Sequence, residues 1–269
     1  MTIYLNNFVV SQFDPLRPLI PVKLFDLKFG DYTVGVSNHM FMIAAAGVLL
    51  LFLLPLATRK KRLAPKGFQN LIESICVFLR EEVARPALHE NTDRFISFIW
   101  TMFFFILTLN LLALVPSDSI IYLVTGKKNH FGGPATANIW ITGGLAITTF
   151  FVSHIAGIKK QGIKNYIVNF IPPVPWPLIP LIFFLELITA FVRPFALAVR
   201  LFANIVAGHT LIATLVGMIV VFKSYGIAAA SVAAIVAMSF LELLVAFIQA
   251  YIFTLLSTLF ISFSITNEH

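Results

Sequence analysis

One arginine stands in the middle of a long apolar run. Arg200 lies near the centre of Leu178–Phe222, inside the segment FALAVRLFANIVAGH. Placing a guanidinium at the centre of a bilayer costs about 2.5–3.5 kcal/mol on insertion scales. From the middle of so long a helix its head has little scope to snorkel to water. The side chain keeps its proton at every accessible pH, so it serves as a fixed positive charge and not as a proton carrier. Such a charge attracts a carboxylate that comes past, favours its ionised form and bars free protons. A structural ion pair is the competing explanation. Groups able to gain and lose protons accompany it: Glu186, His209 and Glu242. Imidazole titrates near neutral pH, and a carboxyl can do so once burial penalises its charge. Asn204, Gln249 and Asn110 are hydrogen-bonding companions.

Spacing arranges these residues. Glu186, Arg193 and Arg200 recur every seven positions and share one helix face, with Asn204 one turn further. His209 falls about half a turn round from Arg200 and addresses a different neighbour. The short turn Lys223-Ser224-Tyr225-Gly226 folds a second run, Ile227–Ser264, back along the first. Antiparallel pairing about that turn sets Gln249 opposite Arg200. It sets Glu242 opposite Ala207, within a turn of Asn204 and His209. The small residues Ala196, Ala198, Ala203, Ala207 and Gly208 surround Arg200. Small residues let another helix approach closely in lipid. That helix is either an ordinary internal neighbour or an outside one bringing a carboxylate. Asn110, in FFFILTLNLLALVP, either bonds between helices or lines a water path. His39 and His154 lie near span ends and read as interfacial, and Asp118, beyond Pro116, reads as solvated. There is no phosphate-binding glycine loop, metal-ligand cluster or nucleophile–base pair, so no cofactor, metal or nucleotide site is expected.

The elements that hold these groups follow from composition. The 269 residues are 59% hydrophobic and 12% charged, with a mean hydropathy of +0.92. Soluble domains carry about twice that charged fraction. The excess of apolar surface argues against a soluble enzyme, a disordered chain or a nucleic-acid binder. The net charge of +7 reflects few acids rather than a basic patch. The single cysteine, Cys76, leaves no intrachain disulfide. Five runs are long enough to cross a bilayer, at about residues 39–58, 95–115, 135–158, 178–222 and 227–264. The fold expected is an all-α integral membrane protein, with residues 1–38 as an outer arm and 39–269 as one membrane domain. Residues before His39 lack the compact apolar core of a cleavable signal. As a straight helix the fourth run would measure about 67 Å, against a hydrocarbon core of about 30 Å. Either it breaks near Pro194, or the last two helices form a long, strongly tilted hairpin suited to wrapping around something. The segment Gly67–Ala84 reads as an amphipathic helix on the membrane surface, or else as a solvated loop helix. Arg59, Lys60, Lys61, Arg62, Lys66, Arg80, Arg85 and Arg94 lie between the first two runs, and Lys159, Lys160 and Lys164 between the third and fourth. The other side holds fewer, among them Lys127, Lys128 and Lys223. The positive-inside rule then places the N-terminus outside and the C-terminus in the cytoplasm, or in the matrix of a mitochondrion.

The run ALAVRLFANIVAGHTL closely resembles the signature of subunit a of F-type ATP synthases, the stator subunit of the membrane sector. FFLELITAFVRP, LELLVAFIQAYIFTLL and FFFILTLNLLALVPS resemble other segments of the same family. The likeness covers most of the chain from about Phe95 onward. It implies a proton path in two offset halves. Arg200 matches the essential arginine facing the ring of c subunits. Glu242, His209, Asn204, Gln249 and Asn110 match positions of the outer half-channel, with Glu186 and Arg193 in the inner one. Some bacterial relatives have a carboxylate at the His209 position and a histidine at the Glu242 position. Here the pair is exchanged, with one acid and one imidazole kept. Ala196 replaces a serine of some relatives, and the AGH ending speaks against a thylakoid origin. The implied partners are the c ring, b-type peripheral stalk subunits, the bilayer and protons, with no nucleic acid. The implied location is a bacterial inner membrane, or alternatively a mitochondrial one.

Two other functions compete. A proton-coupled secondary transporter would show an internal repeat around a midplane site, and none is visible. A proton-translocating subunit of a redox complex would place lysines and glutamates along several spans, whereas one arginine dominates here.

Overall fold

The computed structural model describes residues 20–29, 32–58, 67–115, 133–168 and 174–265. The basic cluster at 59–66, the pair Lys127 and Lys128, and Pro116 and Asp118 lie outside the described residues. Five helical runs are long and apolar enough to cross a membrane: Asn38–Leu56, Phe68–Leu114, Ile139–Gln161, Trp176–Phe222 and Tyr225–Ile265.

A β-hairpin precedes them. β1 (Lys23–Phe29) pairs antiparallel with β2 (Tyr32–Ser37), from Lys23 opposite Ser37 to Phe29 opposite Tyr32. It adds a small sheet to the all-helical architecture expected. Its sequence carries the period-two alternation of a strand, with Gly30-Asp31 between the strands. Helix α1 (Asn38–Thr58) starts directly from β2. Ser37 Oγ accepts from Met40 N at 3.4 Å, and Asn38 Oδ1 accepts from Val22 N and His39 N, each at 3.0 Å. Polar side chains thus take up amides that the first helical turn leaves free.

Helix α2 (Phe68–Phe78) widens into a π-helical turn at Leu79–Ala84 and continues through α3 (Arg85–Leu88) into α4 (Thr92–Leu114). The carbonyl of Cys76, just before the wide turn, accepts from Trp100 Nε1 at 3.0 Å. Arg80 pairs with Asp93 at 2.6 Å, and Arg85 pairs with Glu81. The expected surface helix is therefore helical, but its apolar residues divide between two faces. Ile72, Leu79 and Val83 are buried, while Phe68, Leu71, Val77 and Phe78 are exposed.

Helix α5 (Ile139–Gln161) leads into the short α6 (Ile163–Val168). The last two helices are α7 (Ile179–Phe222), of 44 residues, and α8 (Tyr225–Ile265), of 41. Only Lys223 and Ser224 separate them, with Lys223 in the left-handed region at φ 47. Pro194 lies inside α7 without ending it, so of the two expected outcomes the helix takes the unbroken one. Proline is tolerated inside membrane helices, where neighbouring groups can take up the freed carbonyl. Only 11% of the most apolar window of each of these two runs is buried, against 61% for Phe68–Leu114. Two helices this apolar and this bare face lipid or another chain.

The chain packs as two compact units, and α1, α4, α7 and α8 each contribute a part to both. The first takes the described residues of 1–47, 107–138 and 201–248. Its packing joins Ala137 to Ile205 and Val206. The second takes those of 48–106, 139–200 and 249–269. Its core gathers Ala84, Leu88, Phe95, Ile96, Ile99, Ala156, Ile261 and Ile265. Hydrogen bonds knit the same helices: Ser262 Oγ donates to Ala87 O at 2.6 Å, Gln161 Nε2 to Ser264 O at 3.0 Å, and Thr149 and Ser257 share one at 3.2 Å.

Candidate functional site

The first unit holds the convergence of polar groups. Asn204 and His209 on α7 and Glu242 on α8 line one small cavity with Leu114, Ile205 and Ala246. Its volume is about 10 Å³, close to the minimum that holds one water. His209 Nε2 is buried without a hydrogen-bond partner among the described residues, and an unpaired buried nitrogen is costly unless it has a use. The side chain of Glu242 lies against Gly208. Gly208 is adjacent to Ala207, the residue expected opposite Glu242.

Gly208 itself becomes a site residue. A Cβ there would stand 2.9 Å from Cδ and 3.1 Å from Cγ of Glu242, and closer still to Oε1. The glycine leaves the space that the carboxyl occupies. Gly208→Ala should keep the fold, because the flexible end of Glu242 can yield, but should move the carboxyl out of register with His209. The expected outcome is an intact fold with the Glu242 carboxyl displaced from the cavity, checked by determining the structure of the variant.

Asn110 joins this site from α4. It is fully buried. Its Nδ2 donates to Ala246 O at 3.4 Å, and its Oδ1 accepts from Thr136 Oγ1 at 3.4 Å. Of the two readings open from the sequence, the bond between helices is present. Ala246 also lines the cavity, so the bonded chain ends at the wall of the Glu242–His209 pocket. Thr136 was not among the expected site residues. It sits in PATAN at the head of α5, and nothing in that short polar segment marks it as bonded to Asn110.

Arg200 belongs to the second unit and is exposed, while its neighbours Leu197, Ala198 and Leu201 are buried. Ala196 in the same unit is exposed on the same stripe, four residues before it. Ala203 and Ala207, which continue that spacing along α7 in the first unit, are exposed as well. Ala198 is buried instead, and Gly208 makes room for Glu242, so three of the five small residues open outward. Among the described residues no carboxylate forms an ion pair with Arg200. That removes support for an internal structural pair.

The remaining expected residues lie in the second unit. Gln249 is buried, with Nε2 unpartnered, and no hydrogen bond joins it to Arg200 among the described residues. Glu186 and Arg193 are half-buried on α7. The Arg193 guanidinium lies over the rings of Phe260 and Phe263, 5.8 and 5.9 Å from their centroids, a favourable placement for a cation in apolar surroundings. His154, read as interfacial, packs against its own helix and α6. Its Nδ1 is 2.9 Å from Phe150 O, and its ring lies 4.0 Å from that of Phe150 and 6.1 Å from that of Tyr166. Tyr166, in α6 beyond the spans, has its phenol pushed up by burial and partly offset by a bond with Ser264, so it stays protonated at neutral pH.

Comparison with known proteins adds a family. The family described as ATP synthase A chain matches residues 40–262. The chain is 39% identical over 265 residues to an ATP synthase subunit a of Chloroherpeton thalassium, covering 96% of this chain and 74% of that one. It is 41% identical over 247 residues to the ATP synthase subunit a of an Anaeromyxobacter strain, covering 90% of this chain and 57% of that one. An ATP synthase subunit a 2 of Prosthecochloris aestuarii is 37% identical over 265 residues, covering 96% and 76%.

Proposed function

The chain belongs to the ATP synthase A chain family, and from that premise we propose that it is the proton-conducting stator of a rotary ATP synthase, passing protons to and from a turning ring of c subunits. Family and helices together make it a multi-pass, proton-translocating subunit of the synthase's membrane sector. The finer reading rests on one observation: Arg200 is an exposed cation in an apolar helix, on a stripe of small residues, with no carboxylate of its own among the described residues.

In this reading the missing carboxylate is carried by the rotor. Protons reach the Glu242–His209 cavity from the outside, with Asn204 and Asn110 as hydrogen-bonding companions. They neutralise a rotor carboxylate, which then turns out to face lipid. After nearly a full turn it meets the inner half-channel near Glu186 and Arg193, loses its proton, and passes Arg200 ionised. A transmembrane potential supplies about 2.3 kcal/mol per charge per 100 mV, so several protons are needed for each ATP. The catalytic head makes the ATP, and this subunit performs no covalent chemistry. α7 and α8 are each about twice the hydrocarbon thickness in length, which a strong tilt along the ring accommodates. Residues 39–269 act as one membrane domain with the N-terminus outside and the C-terminus cytoplasmic, in a bacterial inner membrane, and b-type stalk subunits hold it still.

Disulfide trapping tests the rotor contact. In a Cys76→Ser background, Ala203→Cys is expected to cross-link to a cysteine beside the rotor carboxylate, stopping ATP-driven pumping until the bond is reduced. No cross-link from Ala203, alongside one from a residue of buried surroundings such as Leu201, would reject this face as the rotor contact.

A further inference from the structure

His39 is the second residue of α1 and is fully buried, and neither ring nitrogen has a hydrogen-bond partner among the described residues. Packing alone would be served better by an apolar side chain, since an unpaired imidazole loses its hydration for nothing. Its neighbour Asn38 is occupied otherwise, fixing the helix start through Val22 and the His39 amide. Gly133 passes directly against both. At φ 142 it holds a backbone conformation that residues with a Cβ rarely adopt. A Cβ there would be 2.8 Å from Asn38 Nδ2 and 3.7 Å from Cδ2 and Nε2 of His39.

The segment that touches His39 leads into the site. Pro134, Ala135, Thr136 and Ala137 follow Gly133 and are all buried. Thr136 donates to Asn110, Asn110 donates to Ala246 O, and Ala246 lines the cavity of Glu242 and His209. All of these residues lie in the first unit. Asn38 and Gly133, which face His39, carry no charge, and the hairpin charges Lys23 and Asp26 pair with each other at 2.7 Å. Among the described residues His39 therefore has no counter-ion, and the Gly133-Pro134-Ala135 backbone separates it from the Thr136–Asn110 bond that leads to the cavity of Glu242.

We infer that His39 is the outermost proton-exchanging residue of the outer path. A ring nitrogen takes a proton from the outside and releases one towards Thr136 and Asn110. The hydroxyl and amide hold no charge themselves but orient the water that carries the proton on to Glu242 and His209. One proton enters and one leaves, and the imidazole returns to its neutral form. The inference rests on the proton-path reading of the first unit and adds a residue to it.

The test compares His39→Gln and His39→Glu in the assembled complex, as ATP-driven acidification of inverted vesicles. His39→Gln should assemble and pump at least about fivefold more slowly, less than the about 10²–10⁴-fold of a positioned proton-transfer group because water partly substitutes. His39→Glu should recover most of the rate, with a changed dependence on the pH of the vesicle interior. Wild-type pumping by assembled His39→Gln would overturn the inference. So would equal slowing of both assembled variants, which points to shape, or failure of both to assemble, which assigns His39 to packing. If His39→Gln alone fails to assemble, the rate of His39→Glu decides: near wild type supports the role, and a fivefold loss overturns it. Arg200→Ala in the same vesicles separates the two levels. If it pumps normally the rotary reading fails, whereas a silent His39→Gln beside an inactive Arg200→Ala removes only His39.

Discussion

Glu242→Gln is expected to lower proton flux at least tenfold while leaving the complex assembled. The substitution keeps the volume and the hydrogen-bonding capacity of the side chain but removes the ability to take a proton. Proton transfer through a positioned group contributes about 10²–10⁴-fold to a rate, and His209, which lines the same cavity, limits the loss. Glu242→Asp retains a carboxyl on a shorter stem and should fall between the two. Gly208 bears on the same point, because the space it leaves is the space of the Glu242 carboxyl. Passive proton flux through membranes stripped of the catalytic head measures the effect without involving ATP chemistry. An assembled Glu242→Gln complex with wild-type flux would remove Glu242 from the path and leave the cavity without its principal acid.

A larger effect is expected at Arg200. At 4 Å a carboxylate and a guanidinium attract by about 4 kcal/mol at an effective dielectric of 20, equivalent to about three pKa units. That is enough to make a passing carboxyl release its proton by roughly a thousandfold preference. In the proposed rotary reading, a rotor carboxyl without that cation would go by still protonated, and a step of rotation would no longer oblige a proton to cross. Arg200→Ala also removes an uncompensated charge from an apolar helix, so stability should not suffer. Loss of coupling with assembly intact is the expected result. Arg200→Lys keeps a positive charge on a shorter, more hydrated head and should still be severely impaired.

Much of this was legible because length and apolarity dominate a membrane chain. The expected run Leu178–Phe222 is the helix Ile179–Phe222, and Ile227–Ser264 lies within Tyr225–Ile265. A short connection constrains antiparallel pairing, and Glu242, expected within a turn of Asn204 and His209, lines one cavity with both. What depends on distant backbone was not legible. Thr136 bonds to Asn110 across 26 residues of sequence, and Gly133 comes against His39 from a distant segment. The β-hairpin was signalled by alternation in KLFDLKF and YTVGVS but hidden by the composition of the rest. The small residues around Arg200 could not be divided by type, since alanine serves equally for inward packing at Ala198 and an outward face at Ala203.

The most direct test of the central claim is coupled pumping by Arg200→Ala. Inverted vesicles carrying the mutant complex, with the c ring shown present by pull-down, are given ATP while lumenal acidification and ATP hydrolysis are followed together. The account predicts an assembled complex whose ATP-driven acidification is lost. Normal acidification by the assembled mutant would contradict it, and would make Arg200 a structural charge in a protein that moves protons some other way.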